Sequence, residues 1–280
     1  MFTAESVQAI NEAEATRNAF SALAQAATET NALAAIPDHF NLHDLEKYLP
    51  TRRRARGNMN TTFIAPFAKY VVAHGEPGAT VFVDPTSLKA SAVLNLGTPA
   101  APGHADNRAG LVPTKTAAYA ALISICNNGR TQKEIAEFLE DWTDQIQTFT
   151  DAGPVHPKHA IAAIRKLSIE SSRKAESSVQ QLSASASMLE SVTATSADPI
   201  PTGIVFTTKP YADLQERTFS LRLSVSTAND KFPTITLRII KEAEHQEAMA
   251  NELGALIEEA IAASNPDIPV LIGTYSTSGN

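Results

Sequence analysis

Apolar positions recur with two different periods along this chain, and the period decides the predicted elements. Over 5–35, Val7, Ile10, Ala13, Phe20, Ala24 and Ala27, with Arg17 among them, return every three or four residues. That spacing predicts one helix face. Only Val7, Ile10 and Phe20 are large, so the face is shallow, and Pro37 ends it. A short helical turn is predicted at 42–49 and a helix over 61–73, with Phe63, Phe67, Tyr70 and Val71 on one side. Strands are predicted at 80–84, closed by Pro85, and at 91–96. Residues 97–113 carry three Pro and three Gly and read as a loop.

The period is helical throughout 114–192. One helix covers 116–127 and stops at Asn128-Gly129. The next begins with the capping box Thr131-Gln132-Lys133-Glu134 and carries Ile135, Phe138, Leu139, Trp142 and Ile146 as its stripe. Gly153-Pro154 breaks it. A long helix is predicted from 157 to 190, where Ala175, Val179, Leu182, Ala186 and Leu189 step by four and three as a coiled-coil-like seam. Serine and threonine fill 12 of the 30 positions from 168 to 197, and a helix so rich in weak helix formers needs a partner to stay folded. The period then drops to two. Phe219, Leu221, Leu223 and Val225 alternate with polar residues, as do Ile235, Leu237 and Ile239. A turn at Asn229-Asp230-Lys231 makes these a hairpin, with a third strand at 203–207. A helix over 242–263 places Met249, Leu253, Leu256, Ala260 and Ile261 inward, and 270–275 is a closing strand. The fold class is α+β: an N-terminal helix or arm over 1–36, then a single domain over 37–280 with a helical segment at 114–192.

Charge changes this picture in one place. The formal net charge is −7, from 23 basic and 30 acidic residues. Residues 47–56 hold Lys47, Arg52, Arg53, Arg54 and Arg56 and no acid, leaving the rest of the chain at −12. An acidic body with one basic segment does not suit wholesale coating of nucleic acid. The segment fits two uses: charge-assisted contact with a phosphate, or pairing with acidic residues of another subunit. Hydrophobic residues are 43% of the chain, yet no run reaches the ~20 apolar residues of a membrane span. With no basic, apolar leader after Met1 and one cysteine, Cys126, the expected location is the cytoplasm.

Candidate chemistry is sparse. His104, Asp106 and Arg108 stand together in a Gly/Pro loop, and a His beside a carboxylate can act as a general base, but no nucleophile is spaced from them. The pairs His39/His43 and His156/His159 each offer two metal ligands where zinc needs at least a third, so no metal and no cofactor is expected. Thr131 to Leu139 has the pattern of a first helix of a helix-turn-helix, but the continuation Glu140-Asp141-Trp142-Thr143-Asp144 is acidic and would repel phosphates.

Several segments carry a family likeness: Leu45-Glu46-Lys47-Tyr48-Leu49-Pro50 with 52–57, Ala92-Val93-Leu94-Asn95 followed by 104–109, and Asn128-Gly129 with Gln132 and 136–141. On these the chain, from about 36 to 275, resembles the YfdQ-like phage and prophage proteins, a family of unknown function. The resemblance implies a bacteriophage origin and carries over no catalytic residue. Two functions follow as expectations. One is a non-enzymatic accessory protein that self-associates into a homo-oligomer through Ala175, Val179, Leu182 and Leu189 and the shallow N-terminal helix. The other is an accessory protein of phage DNA replication or recombination, touching DNA through Arg52 to Arg56. Its partners are then itself, and DNA or a phage or host protein, with no membrane.

Overall fold

A computed structural model describes residues 3–26, 46–150, 152–167, 201–226 and 234–276. The chain divides into two units, 1–55 and 56–280. In the first unit, helix α1 spans Ala4–Ala26 and a single 3-10 turn covers Glu46–Tyr48. The predicted helix to residue 35 and the start of the turn at 42 fall partly on residues outside those described.

The second unit opens with strand β1 (Gly57–Thr61) and helix α2 (Ile64–His74). Strands β2 (Thr80–Asp84) and β3 (Lys89–Val93) follow, then a two-residue ladder of β4 (Gly97–Thr98) and β5 (Ala101–Pro102), and β6 (Asn107–Leu111). Helices α3 (Ala117–Ile125) and α4 (Gln132–Asp141) lead into β7 (Ile146–Thr150), β8 (Gly153–Val155) and α5 (Pro157–Arg165). The chain closes through β9 (Gly203–Thr208), β10 (Arg217–Ser226), β11 (Thr234–Ile239), helix α6 (Glu242–Ala262) and β12 (Val270–Ile272).

Two five-stranded sheets result. The first is mixed, in the order β1-β6-β3-β2-β12, with parallel pairs at both edges. Val81, Val83, Ala90, Ala92, Ala109 and Leu111 share one of its faces and are buried with Phe67 and Val71 of α2. These side chains are small because α2 and α6 must both lie close to the sheet; Ile272 of β12 reaches Gly254 of α6, where a Cβ would stand 3.0 Å from it. α2 starts without a cap of its own, and Asp213 Oδ2 accepts its first amide, Ile64 N, at 3.2 Å.

The second sheet is antiparallel, in the order β11-β10-β9-β7-β8. Its alternation is the simplest reading of the sequence: one face apolar and covered, the other polar and open. The covered face packs rings: Phe206 lies 5.7 Å from Phe138 of α4, and Phe219 lies 5.4 Å from Tyr119 of α3 and 4.8 Å from His245 of α6. The outer edge of β11 is itself occupied, because 126–130 runs beside it with Asn127 N donating to Leu237 O and Arg130 pairing with Ile235. This close approach requires Gly129, where a Cβ would meet Thr234 at 2.5 Å.

Three expectations need correction. Residues 97–113 are not simply a loop: β6 lies in the interior of the first sheet, its buried positions being Asn107, Ala109 and Leu111. The second helix of the middle segment ends at Asp141, and Ile146 begins a strand rather than ending a helical stripe. The helix from 157 stops at Arg165, and 168–200, including the predicted seam, lies outside the described residues. The closing strand is present over Val270–Ile272 and pairs in parallel with β2, in the sheet that the hairpin does not belong to. The hairpin itself is present, Leu221 opposite Ile239 and Val225 opposite Ile235; its predicted turn falls outside the described residues.

Candidate functional site

The loop holding His104, Asp106 and Arg108 is built around a buried amide rather than a catalytic pair. Asn95, 4% exposed, donates from Nδ2 to Asp106 Oδ1 at 2.8 Å and accepts Asn107 N at 3.0 Å through Oδ1. Its backbone carbonyl accepts Ala105 N at 3.2 Å. Gly103 fits against Asn95 O so closely that a Cβ would stand 2.0 Å from it. The Asp106 carboxylate therefore serves Asn95, while His104 is exposed. Arg108 belongs to β6, donates from Nε to Ala105 O at 2.9 Å, and holds its guanidinium 6.0 Å from the centre of the Tyr275 ring. Asp106 and Arg108 brace the turn through Asn95 and the Ala105 carbonyl.

The basic segment spans the boundary between the units. Lys47 lies in the 3-10 turn; Arg52 and Arg53 are exposed and Arg54 is half-buried. Arg56 is exposed at the start of the second unit. Glu46 Oε1 accepts Arg53 N at 3.2 Å. Of the predicted association residues, Ala175, Val179, Leu182 and Leu189 lie outside the described residues. The shallow face of α1 is described: Val7, Ile10 and Phe20 are 47%, 55% and 68% exposed, and no described side chain of α1 is buried.

His156 and the middle helices have structural work. His156 caps α5, its Nδ1 accepting Lys158 N at 3.2 Å, and its ring meets that of His159 at 6.5 Å. His39 and His43 lie outside the described residues. Among the described residues, no three His, Cys, Asp or Glu side chains gather as a metal site, and no helix is long and apolar enough to cross a membrane. The capping box of α4 forms in both directions, Thr131 Oγ1 accepting Glu134 N and Glu134 Oε2 accepting Thr131 N. A 3-10 turn and β7 follow α4, so no recognition helix completes a helix-turn-helix. Cys126 is buried, and its burial pushes the thiol up to about 12, with Glu242 adding to the rise. A thiol so placed is not a nucleophile near neutral pH.

Sequence reading missed one interior polar group. Arg217 on β10 and Glu252 on α6 are 2.5 Å apart, and Glu252 also accepts Gln215 N at 2.6 Å. Beside them, burial and then the Arg217 charge hold the His245 imidazole below its ordinary 6.5. The pair is separated by 35 residues, and neither residue belongs to a motif.

Compared with known families, residues 4–275 match the family described as uncharacterized conserved protein, DUF2303. The chain belongs to this DUF2303 family. The match runs through both units, from α1 to Tyr275, so the family covers the basic segment, the Asn95 loop and both sheets together. No curated protein and no solved structure matches the chain.

Proposed function

We propose that this DUF2303 protein is a non-catalytic, self-associating accessory protein of a phage or prophage, and that copies of the chain cover one another's α1. The observation that carries the reading is the exposed stripe of Val7, Ile10 and Phe20 on a 23-residue helix without a buried side chain among those described. A helix in a protein gains most of its stability by packing an apolar face rather than from propensity. The three side chains are 47%, 55% and 68% exposed, so covering each contributes roughly half of the ~1.5 to 3 kcal/mol of a full burial. A second copy supplies a matching stripe at no cost in specificity, and closed symmetric assemblies are the usual result. Charge supports the same partner: the exposed Arg52 and Arg53 face solvent on a chain whose remainder is acidic.

Size-exclusion chromatography with light scattering tests this. The expected mass is a multiple of 29.9 kDa, reduced by Val7→Glu with Phe20→Glu. A wild-type chain that runs as a monomer at micromolar concentration contradicts it.

A further inference from the structure

The open face of the antiparallel sheet carries a pairing that the fold alone does not explain. Arg222 of β10 and Arg238 of β11 are directly opposite one another in register. Both are exposed. Like charges placed opposite each other across an antiparallel pair are destabilising. Neither arginine has an ion-pair partner among the described residues. Glu242, four residues beyond Arg238, accepts from Asn127 Nδ2 at 3.2 Å instead.

The surroundings are as unusual for an acidic chain. The outward positions of β10 and β11 are Thr218, Ser220, Ser224, Ser226, Thr234 and Thr236, and those of β9 and β7 are Gly203, Val205, Thr207, Gln147 and Phe149. None is acidic. One row across the strands reads Arg238, Arg222, Gly203, Phe149: Arg222 follows Leu221, which pairs with Ile204, and Gly203 pairs with Phe149. Gly203 leaves a gap beside the aromatic ring, since a Cβ there would only just reach Phe149 Cβ at 4.0 Å. Phe149 is half-buried and takes no part in the apolar core. Two strand spacings place it about 10 Å from Arg222.

The geometry points to single-stranded nucleic acid as the ligand of this face: Arg222 and Arg238 hold a backbone phosphate between them, and Phe149 stacks a neighbouring base. A phosphate relieves the repulsion between the arginines and accepts forked hydrogen bonds from both. An aromatic with part of its ring open beside a cationic row offers a stacking surface for sequence-tolerant strand binding. The hydroxyls around the pair offer further neutral contacts to sugar and phosphate. This site is separate from the basic segment at 52–56 and does not depend on self-association.

Fluorescence anisotropy of the full chain with a labelled oligothymidylate longer than a ~16-nucleotide site is the test. Binding is expected at low salt. In Arg222→Ala with Arg238→Ala the slope of log K against log salt falls by about 0.7, the share of one phosphate contact on a single strand. Phe149→Ala weakens binding by about tenfold. Arg222→Glu sets opposite charges across the strands; it is expected to hold or raise the melting temperature while abolishing binding. Four results overturn the assignment: no binding by wild type, binding unaltered in the Arg222/Arg238 variant, displacement by polyglutamate as efficient as by unlabelled oligonucleotide, or a change in assembly mass in place of a change in affinity.

Discussion

Asn95 shows how a buried amide can organise a segment that reads as chemistry. Its side chain answers Asp106 on one side and the Asn107 amide on the other. Replacing it by Ala leaves a buried N–H without a partner, so Asn95→Ala is expected to cost about 1–3 kcal/mol in denaturant unfolding. His104→Ala, at an exposed position, is expected to stay within about 0.5 kcal/mol of wild type. The reverse ranking would make His104, rather than Asn95, the residue that holds the loop. A histidine, an aspartate and an arginine in a glycine-rich loop are legible in sequence; which of them meets which is not, because the deciding partner, Asn95, stands 11 residues from Asp106. His245 sets the second expectation at this scale. Burial and Arg217 hold its folded value below 6.5, while Glu244 acts weakly the other way. As pH falls through about 6.5 the unfolded chain binds a proton that the folded chain resists. Stability therefore drops from there until the folded imidazole is also charged. His245→Asn should flatten that part of the pH profile of the unfolding midpoint, and an unchanged profile would show that another group titrates.

At the scale of elements, alternation made β9, β10 and β11 legible, because the sheet they form is covered on one face and wet on the other. The same rule failed at β6. Asn107, Ala109 and Leu111 do alternate inward, but two of the three lack the bulk that marks a strand, since α2 and α6 crowd that face. β7 was hidden differently: Ile146 falls four residues after Trp142, a spacing that also extends the helical stripe of α4. The pairing of β12 with β2 joins residues nearly 190 apart, which local pattern cannot report. One long-range tie between elements is open to direct measurement. Arg217 and Glu252 join β10 to α6 with 19% and 17% of their side chains exposed. Glu252→Ala strands a mostly buried guanidinium and frees the Gln215 amide, so a loss of about 3 kcal/mol is expected by urea unfolding. A loss below about 1 kcal/mol would place the pair among ordinary surface ion pairs.

At the scale of the whole molecule, the acidic body, the basic segment at 52–56 and the uncovered α1 argue for a chain that completes itself with copies of itself. The basic segment was readable from charge alone. The arginine pair on the open sheet was not, because it depends on the register of β10 with β11. If the segment contributes charge pairing between subunits, raising salt beyond about 0.5 M should shorten the screening length to a few ångströms and shift the mass distribution downward. The most direct test of self-association is the mass of the purified full-length chain, by light scattering at micromolar concentration and physiological salt. A stable multiple of 29.9 kDa that collapses in the Val7→Glu, Phe20→Glu variant is the expected result; a wild-type chain at 29.9 kDa across the concentration range contradicts the account.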